Sequence, residues 1–152
     1  MESIRLWWDH EGHARYPAAD SLLVFADSGG SNSARSRLWK VRLQDLADEV
    51  RLPITVCHLP PGASKWNKIE HRLFAHVSIH WRGRPLIDYD TIVSLIGATT
   101  TQTGLTVTAR LDVDDYPTGV TVANSVMAQL TLQPHATHPQ WNYTLAPRAA
   151  PP

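Results

Sequence analysis

The chain has one cysteine, Cys57, so no internal disulfide framework holds it together. That thiol lies in the apolar run Ile54-Thr55-Val56-Cys57, where a buried, inert side chain is expected rather than a nucleophile. Net charge is absent too: 14 basic side chains balance 14 acidic ones, so the whole-chain electrostatics announce no nucleic-acid partner. No apolar run reaches the ~18 residues of a membrane span, and no charged-then-apolar segment opens the chain, which excludes a membrane helix and a signal peptide. The glycine loop lacks Gly-Lys-Ser/Thr, and there is no G-x-S-x-G elbow, so neither a P-loop nor a hydrolase triad is supported. His76 and His80 are spaced for zinc on one helix, but no Glu follows His76 and no third ligand is suitably placed. The expectation is a soluble cytoplasmic protein.

What is present suits one packed domain. Of 152 residues 43% are hydrophobic, and six are Trp. Glu2 to Gly12 reads as a helix, and Ser21 to Ala26 as a strand buried on both faces, since its apolar run shows no alternation. From Ser36 to Val50 the residues Leu38, Trp39, Leu43, Leu46, Ala47 and Val50 recur at helical spacing. Ile54 to Leu59 is a second buried strand, Asn67 to Trp81 and Tyr89 to Thr101 are helices, and Gly104 to Leu111 and Gln140 to Leu145 are strands. A strand-helix-strand order implies a parallel pair joined by a crossover helix, hence an α/β fold. The tail from Ala146 to Pro152 is expected to be disordered.

Two carboxylates stand out. Asp27 follows the first buried strand and precedes Ser28-Gly29-Gly30, placing it at the strand edge where open α/β sheets bind ligands; the same residues are also ordinary turn chemistry. Glu70 falls in the first turn of a helix, on the face shared with Phe74, Val77 and Trp81 and flanked by Trp66 and Leu73, so that it points toward the packed side. Asn67 followed three residues later by Glu70 resembles a capping box, which would account for the carboxylate locally; a metal ligand is the other reading, and it needs a second acid. Basic residues gather around both. Arg35, Arg37, Lys40 and Arg42 follow the Asp27 loop, and Lys65, Lys68, Arg72, Arg82 and Arg84 surround Glu70, a distribution open to contact with a DNA backbone or to a solvated helix face.

The segments Ala26-Asp27-Ser28-Gly29-Gly30-Ser31-Asn32, Arg37-Leu38-Trp39-Lys40 and Cys57-His58-Leu59-Pro60-Pro61-Gly62-Ala63-Ser64-Lys65-Trp66-Asn67-Lys68-Ile69-Glu70-His71-Arg72-Leu73-Phe74 together resemble the insertion-sequence transposases of the ISAzo-thirteen type. Trp81-Arg82-Gly83-Arg84-Pro85-Leu86, Thr103-Gly104-Leu105 and Trp141-Asn142-Tyr143 extend the likeness over nearly the whole chain. The resemblance implies a DDE recombinase with a ribonuclease-H-like fold, in which Asp27 matches the second acid and Glu70 the third. It also implies Mg²⁺ or Mn²⁺ as cofactor, DNA at the element ends as substrate, Arg37, Lys40, Lys65, Lys68 and Arg72 as DNA contacts, and a nucleoid-associated location. Such chemistry uses two divalent ions about 4 Å apart, held by hard oxygen ligands.

The first acid of such enzymes comes from an opening strand that should precede Ser3-Ile4-Arg5-Leu6-Trp7-Trp8. Asp9 and Asp20 are the only Asp residues before Asp27, and neither follows a strand-like run. The resulting expectation is a C-terminal portion of a catalytic core over residues 1–145, with opening strands missing and no transposition by the chain alone. Two alternatives remain: a non-catalytic regulator that binds DNA or full-length transposase through its basic surface and an exposed sheet edge, and a plain α/β domain in which Asp27 is a turn residue and Glu70 a cap.

Overall fold

The computed structural model describes residues 1–149. They form two compact units where the sequence suggested one: Met1–Ser64 together with the segment from Gly119 onward, and Lys65–Thr118.

The first unit is built on a four-stranded sheet in the order β1-β2-β4-β3, with β1 at Leu22–Ala26, β2 at Ile54–His58, β3 at Leu132–Pro134 and β4 at Asn142–Leu145. The expected parallel pair is β1 with β2, in register from Leu22 opposite Ile54 to Ala26 opposite His58. β4 runs antiparallel to β2, and β3 antiparallel to β4. The mixed α/β architecture with flanking helices is consistent with a ribonuclease-H-like domain.

The crossover between β1 and β2 is helix α3, Arg37–Val50. Ser36 starts it by accepting the Trp39 amide on its side chain, and Arg51 ends it in the left-handed conformation with φ 59°. Helical periodicity lays Trp39, Leu43, Leu46 and Ala47 on one face, and they close over Leu22, Ala26, Ile54, Val56, Tyr143 and Leu145 of the sheet. Each aliphatic residue fully buried there contributes about 1.5–3 kcal/mol.

The N-terminal segment adds Trp8 to this core. It is helical further than expected: α1 (Glu2–Trp7) continues through a π-helical stretch at Trp8–Gly12 into α2 (His13–Arg15). Gly12 is required there, because a Cβ would come within 2.7 Å of the Trp8 ring. Arg5 Nε, 2.9 Å from Glu49 Oε2, links α1 to α3.

Several expectations need correction. β1 is buried on one face only: Leu22 and Ala26 are covered, while Leu23 and Phe25 are 60% and 64% exposed. An unbroken apolar run reports hydrophobicity on both faces but not what covers them. Cys57, in line with Phe25 on that face, is half-buried rather than buried. β3 was not foreseen, being three residues long and ending in Pro134; an edge position tolerates the missing amide. The tail is ordered through Arg148. The Ala146 carbonyl accepts from Gln44 Nε2 at 2.8 Å, and Arg148 pairs with Asp48 at 2.6 Å. The remainder of the expected tail, 150–152, lies outside the described residues.

In the second unit, α4 is Lys68–Trp81 and α5 is Tyr89–Gly97, capped by Asn67 and Asp88. The strand expected over Gly104 to Leu111 does not form. Thr100 opposite Thr106 makes an isolated bridge, and alternation without a neighbouring ladder cannot sustain a strand. A short helix in the first unit, α6 at Asn124–Met127, lies in a stretch that the sequence left unassigned.

Candidate metal-binding residues

Asp27 belongs to the first unit and follows the last residue of β1. Its exposed carboxylate is oriented by the loop after it: Oδ1 accepts from Asn32 Nδ2 at 2.8 Å and from the Gly29 amide at 3.4 Å. Oδ2 is left open. The loop passes so close that a Cβ on Gly29 would stand 3.3 Å from Oδ2, although the backbone there, at φ −94°, is ordinary. Ser28 Oγ donates to the Leu59 carbonyl at 2.5 Å, tying the loop to the end of β2.

Beneath Asp27 is a buried cluster that the sequence reading did not single out. His58, the last residue of β2, has Nδ1 3.3 Å from the Asp27 carbonyl and Nε2 3.1 Å from the Tyr143 hydroxyl. Trp39 Nε1 donates to that hydroxyl at 3.1 Å. Burial lowers the His58 pKa, against an opposing contribution from the hydrogen bond to Asp27, and burial pushes the Tyr143 pKa up to about 12. His58 and Tyr143 are 85 residues apart, so no local spacing could have paired them; the available signal was a His closing an apolar strand.

Glu70 belongs to the second unit, in the first turn of α4. The capping geometry is present: Asn67 Oδ1 accepts the Glu70 amide at 3.4 Å, and Asn67 Nδ2 donates to Glu70 Oε2 at 3.0 Å. The return bond comes from the Asn side chain instead of its backbone, so cap and carboxylate hold each other and Oε1 stays open. The packed face differs from expectation. Val77 is buried, but Phe74 and Trp66 are 54% and 62% exposed, and Glu70 itself is half-buried.

The basic residues divide into two kinds. Arg37 Nη1 donates to Asn124 Oδ1 at 2.7 Å and to the Val122 carbonyl at 3.1 Å, so its guanidinium secures a loop. Lys40 is half-buried over the Tyr143 ring, 5.4 Å from its centroid, and burial lowers its pKa. By contrast Lys65, Lys68 and Arg72 are exposed on the second unit, Lys65 beside the Trp66 ring.

Asp27 and Glu70 each present a carboxylate with one oxygen fixed by an amide and the other open, the hard donor type that Mg²⁺ and Mn²⁺ prefer. Among the described residues, no three His, Cys, Asp or Glu side chains gather into a metal-holding group. Asp9 lies in the π-helical stretch, and Asp20 precedes β1, roughly 20 Å of extended chain from Asp27 at its far end. No helix among the described residues is long and apolar enough to cross a membrane.

No curated protein and no solved structure matches the chain. A family model described as the Rhodopirellula transposase DDE domain does match, over residues 1–147. The chain therefore belongs to the DDE-domain transposase family, as its likeness to ISAzo-thirteen-type transposases implied.

Proposed function

We propose that this domain contributes Asp27 and Glu70 as two of the acids that hold Mg²⁺ or Mn²⁺ for DNA strand cleavage and transfer, and that the chain does not transpose by itself. The observation that carries this reading is the matched state of the two carboxylates, each steadied by a neighbouring asparagine with one oxygen left open. When bound, divalent ions would activate the attacking oxygen and stabilise the leaving one. The chain's own part is to supply hard ligands at element ends and, through Lys65, Lys68 and Arg72, cations for the DNA backbone. Inactivity alone is supported by the positions of Asp9 and Asp20, neither of which ends a strand beside Asp27.

Two measurements test this. Mn²⁺ binding, followed by water-proton relaxation, should weaken in both Asp27→Asn and Glu70→Gln; affinity unchanged in both variants refutes the metal assignment. Incubated with element-end DNA and Mg²⁺, the wild-type chain should leave the strands intact. Robust cutting that disappears in Asp27→Ala refutes the claim of inactivity.

A non-catalytic regulatory reading is favoured by one feature, the outer edge of β1. Among the described residues that edge has no neighbouring strand; β1 exposes Leu23 and Phe25 and borders a groove of about 800 Å³ lined also by Trp7 and Tyr16. Co-purification with full-length transposase, abolished by Phe25→Lys, is the outcome expected if pairing at this edge matters.

A further inference from the structure

We propose that His58 is the positioning residue for Asp27, holding its backbone carbonyl so that the carboxylate beyond the end of β1 is presented in one place. The proposal rests on the metal reading of Asp27.

The parallel ladder between β1 and β2 makes its last bond from the Leu59 amide to the Ala26 carbonyl, at 2.7 Å. The next carbonyl along the chain is Asp27's, just past the strand, and the His58 imidazole reaches it from β2. Register makes this possible. His58 is opposite Ala26, one residue short of Asp27, and its side chain points to the buried face, where Tyr143 and Trp39 await it.

The donors and acceptors of this chain fit together in a single direction. A tryptophan Nε1 can only donate, so the Tyr143 oxygen accepts from Trp39 and uses its own proton toward His58 Nε2. His58 Nε2 is then an acceptor, the neutral ring carries its proton on Nδ1, and Nδ1–H donates to the Asp27 carbonyl, which can only accept. The opposite tautomer would face Nδ1 and the carbonyl oxygen as two acceptors and leave the Tyr143 proton without a partner in a site where the tyrosine is 1% exposed. Three buried side chains thus fix the strand end from below, while Asn32 and Gly29 fix the carboxylate from above. Orienting groups of this kind, one bond removed from a ligand, typically change metal affinity 10–100-fold when lost.

The test compares replacements at His58 in the full chain by Mn²⁺ relaxation titration and by the ¹³C shift of the Asp27 carbonyl. An asparagine amide nitrogen reaches where Nδ1 stands, whereas a glutamine nitrogen reaches where Nε2 stands. His58→Phe and His58→Gln should therefore bind Mn²⁺ about tenfold more weakly, and His58→Asn should stay close to wild type. Because all three replacements disturb the same buried site, a merely structural role would weaken binding in step with thermal stability, without this preference. Equal affinity in folded His58→Phe and wild type, or losses in His58→Asn and His58→Gln that simply track stability, overturns the proposal. If His58→Phe does not fold, Tyr143→Phe replaces it, and there too a tenfold loss supports the proposal and unchanged binding overturns it. If Asp27→Asn leaves Mn²⁺ binding unchanged, the metal reading fails by itself. The carbonyl shift then decides the positioning role: movement in His58→Phe but not in His58→Asn supports it, and no movement in either overturns it.

Discussion

Gln44 ties α3 to the chain just before β3 and just after β4. It is fully buried on α3, and its amide uses all of its hydrogen-bonding capacity. Nε2 donates to Asp48 Oδ1 at 3.0 Å and to the Ala146 carbonyl at 2.8 Å, while Oε1 accepts the amide and hydroxyl of Thr131, each at 2.9 Å. Gln44→Leu keeps approximately the volume and removes every bond. The half-buried Thr131 amide loses its partner, at about 2 kcal/mol. Two lost donations add about 1 kcal/mol each, and the new apolar side chain returns about 1 kcal/mol, so the net cost is about 3 kcal/mol. The Ala146 carbonyl limits the damage, since the Thr131 hydroxyl, released from Gln44 Oε1, donates to it instead. For a unit of this size the melting temperature should fall by roughly 12–20 °C. Hydrogen exchange should show the loss concentrated at Thr131 and in the segment after β4. A melting point within about 2 °C of wild type, or a Thr131 amide as protected as before, refutes the reasoning.

Three further outcomes are expected. Burial raises the Asp48 pKa, but this is outweighed by hydrogen bonds from the Arg148 amide and guanidinium and from Gln44, together with the Arg148 charge, so the folded value lies below the usual 3.8. A depressed carboxylate stabilises the fold above its unfolded pKa and loses that contribution as pH falls through the folded one. The urea midpoints of wild type and Asp48→Asn should therefore differ at pH ~7 and converge below pH ~4. Asn67→Ala should cost the α4 start about 1 kcal/mol, read as faster exchange of the Glu70 amide; unchanged exchange would show the cap to be idle. Gly29→Ala should leave the melting temperature level or slightly raised, because its backbone suits alanine, yet weaken Mn²⁺ binding by crowding Asp27 Oδ2, and a parallel loss of stability would contradict this.

The main helices were legible because their signals are local: Asn67 caps α4 as its spacing from Glu70 suggests, and Leu43, Leu46 and Ala47 recur on the covered face of α3. The ends of β1 and β2 were legible for the same reason, and with them the placement of Asp27. Pairing beyond the parallel β1–β2 couple was not legible. Gly104 to Leu111 alternates like a strand but finds no ladder, whereas Leu132-Gln133-Pro134 lacks a strand's length and is paired by β4. The His58, Tyr143 and Trp39 set is assembled from three distant segments, so only the fold reveals it. Arg37 and Lys40 read as free cations, and the partners that engage them, Asn124 and Tyr143, lie far along the chain.

The second unit interrupts the first between β2 and β4, and this matters while the chain is being made. Thr55 must wait for Thr144, 89 residues later, before the middle of the sheet can close. At ~5–20 residues per second, β2 spends on the order of ten seconds with one side unpaired and α3 already able to fold against it. During that interval the nascent sheet is two-stranded, and Lys65–Thr118 is synthesised before its remaining strands. A ribosome pause after β2 would lengthen the exposure, and faster translation through residues 65–118 would shorten it.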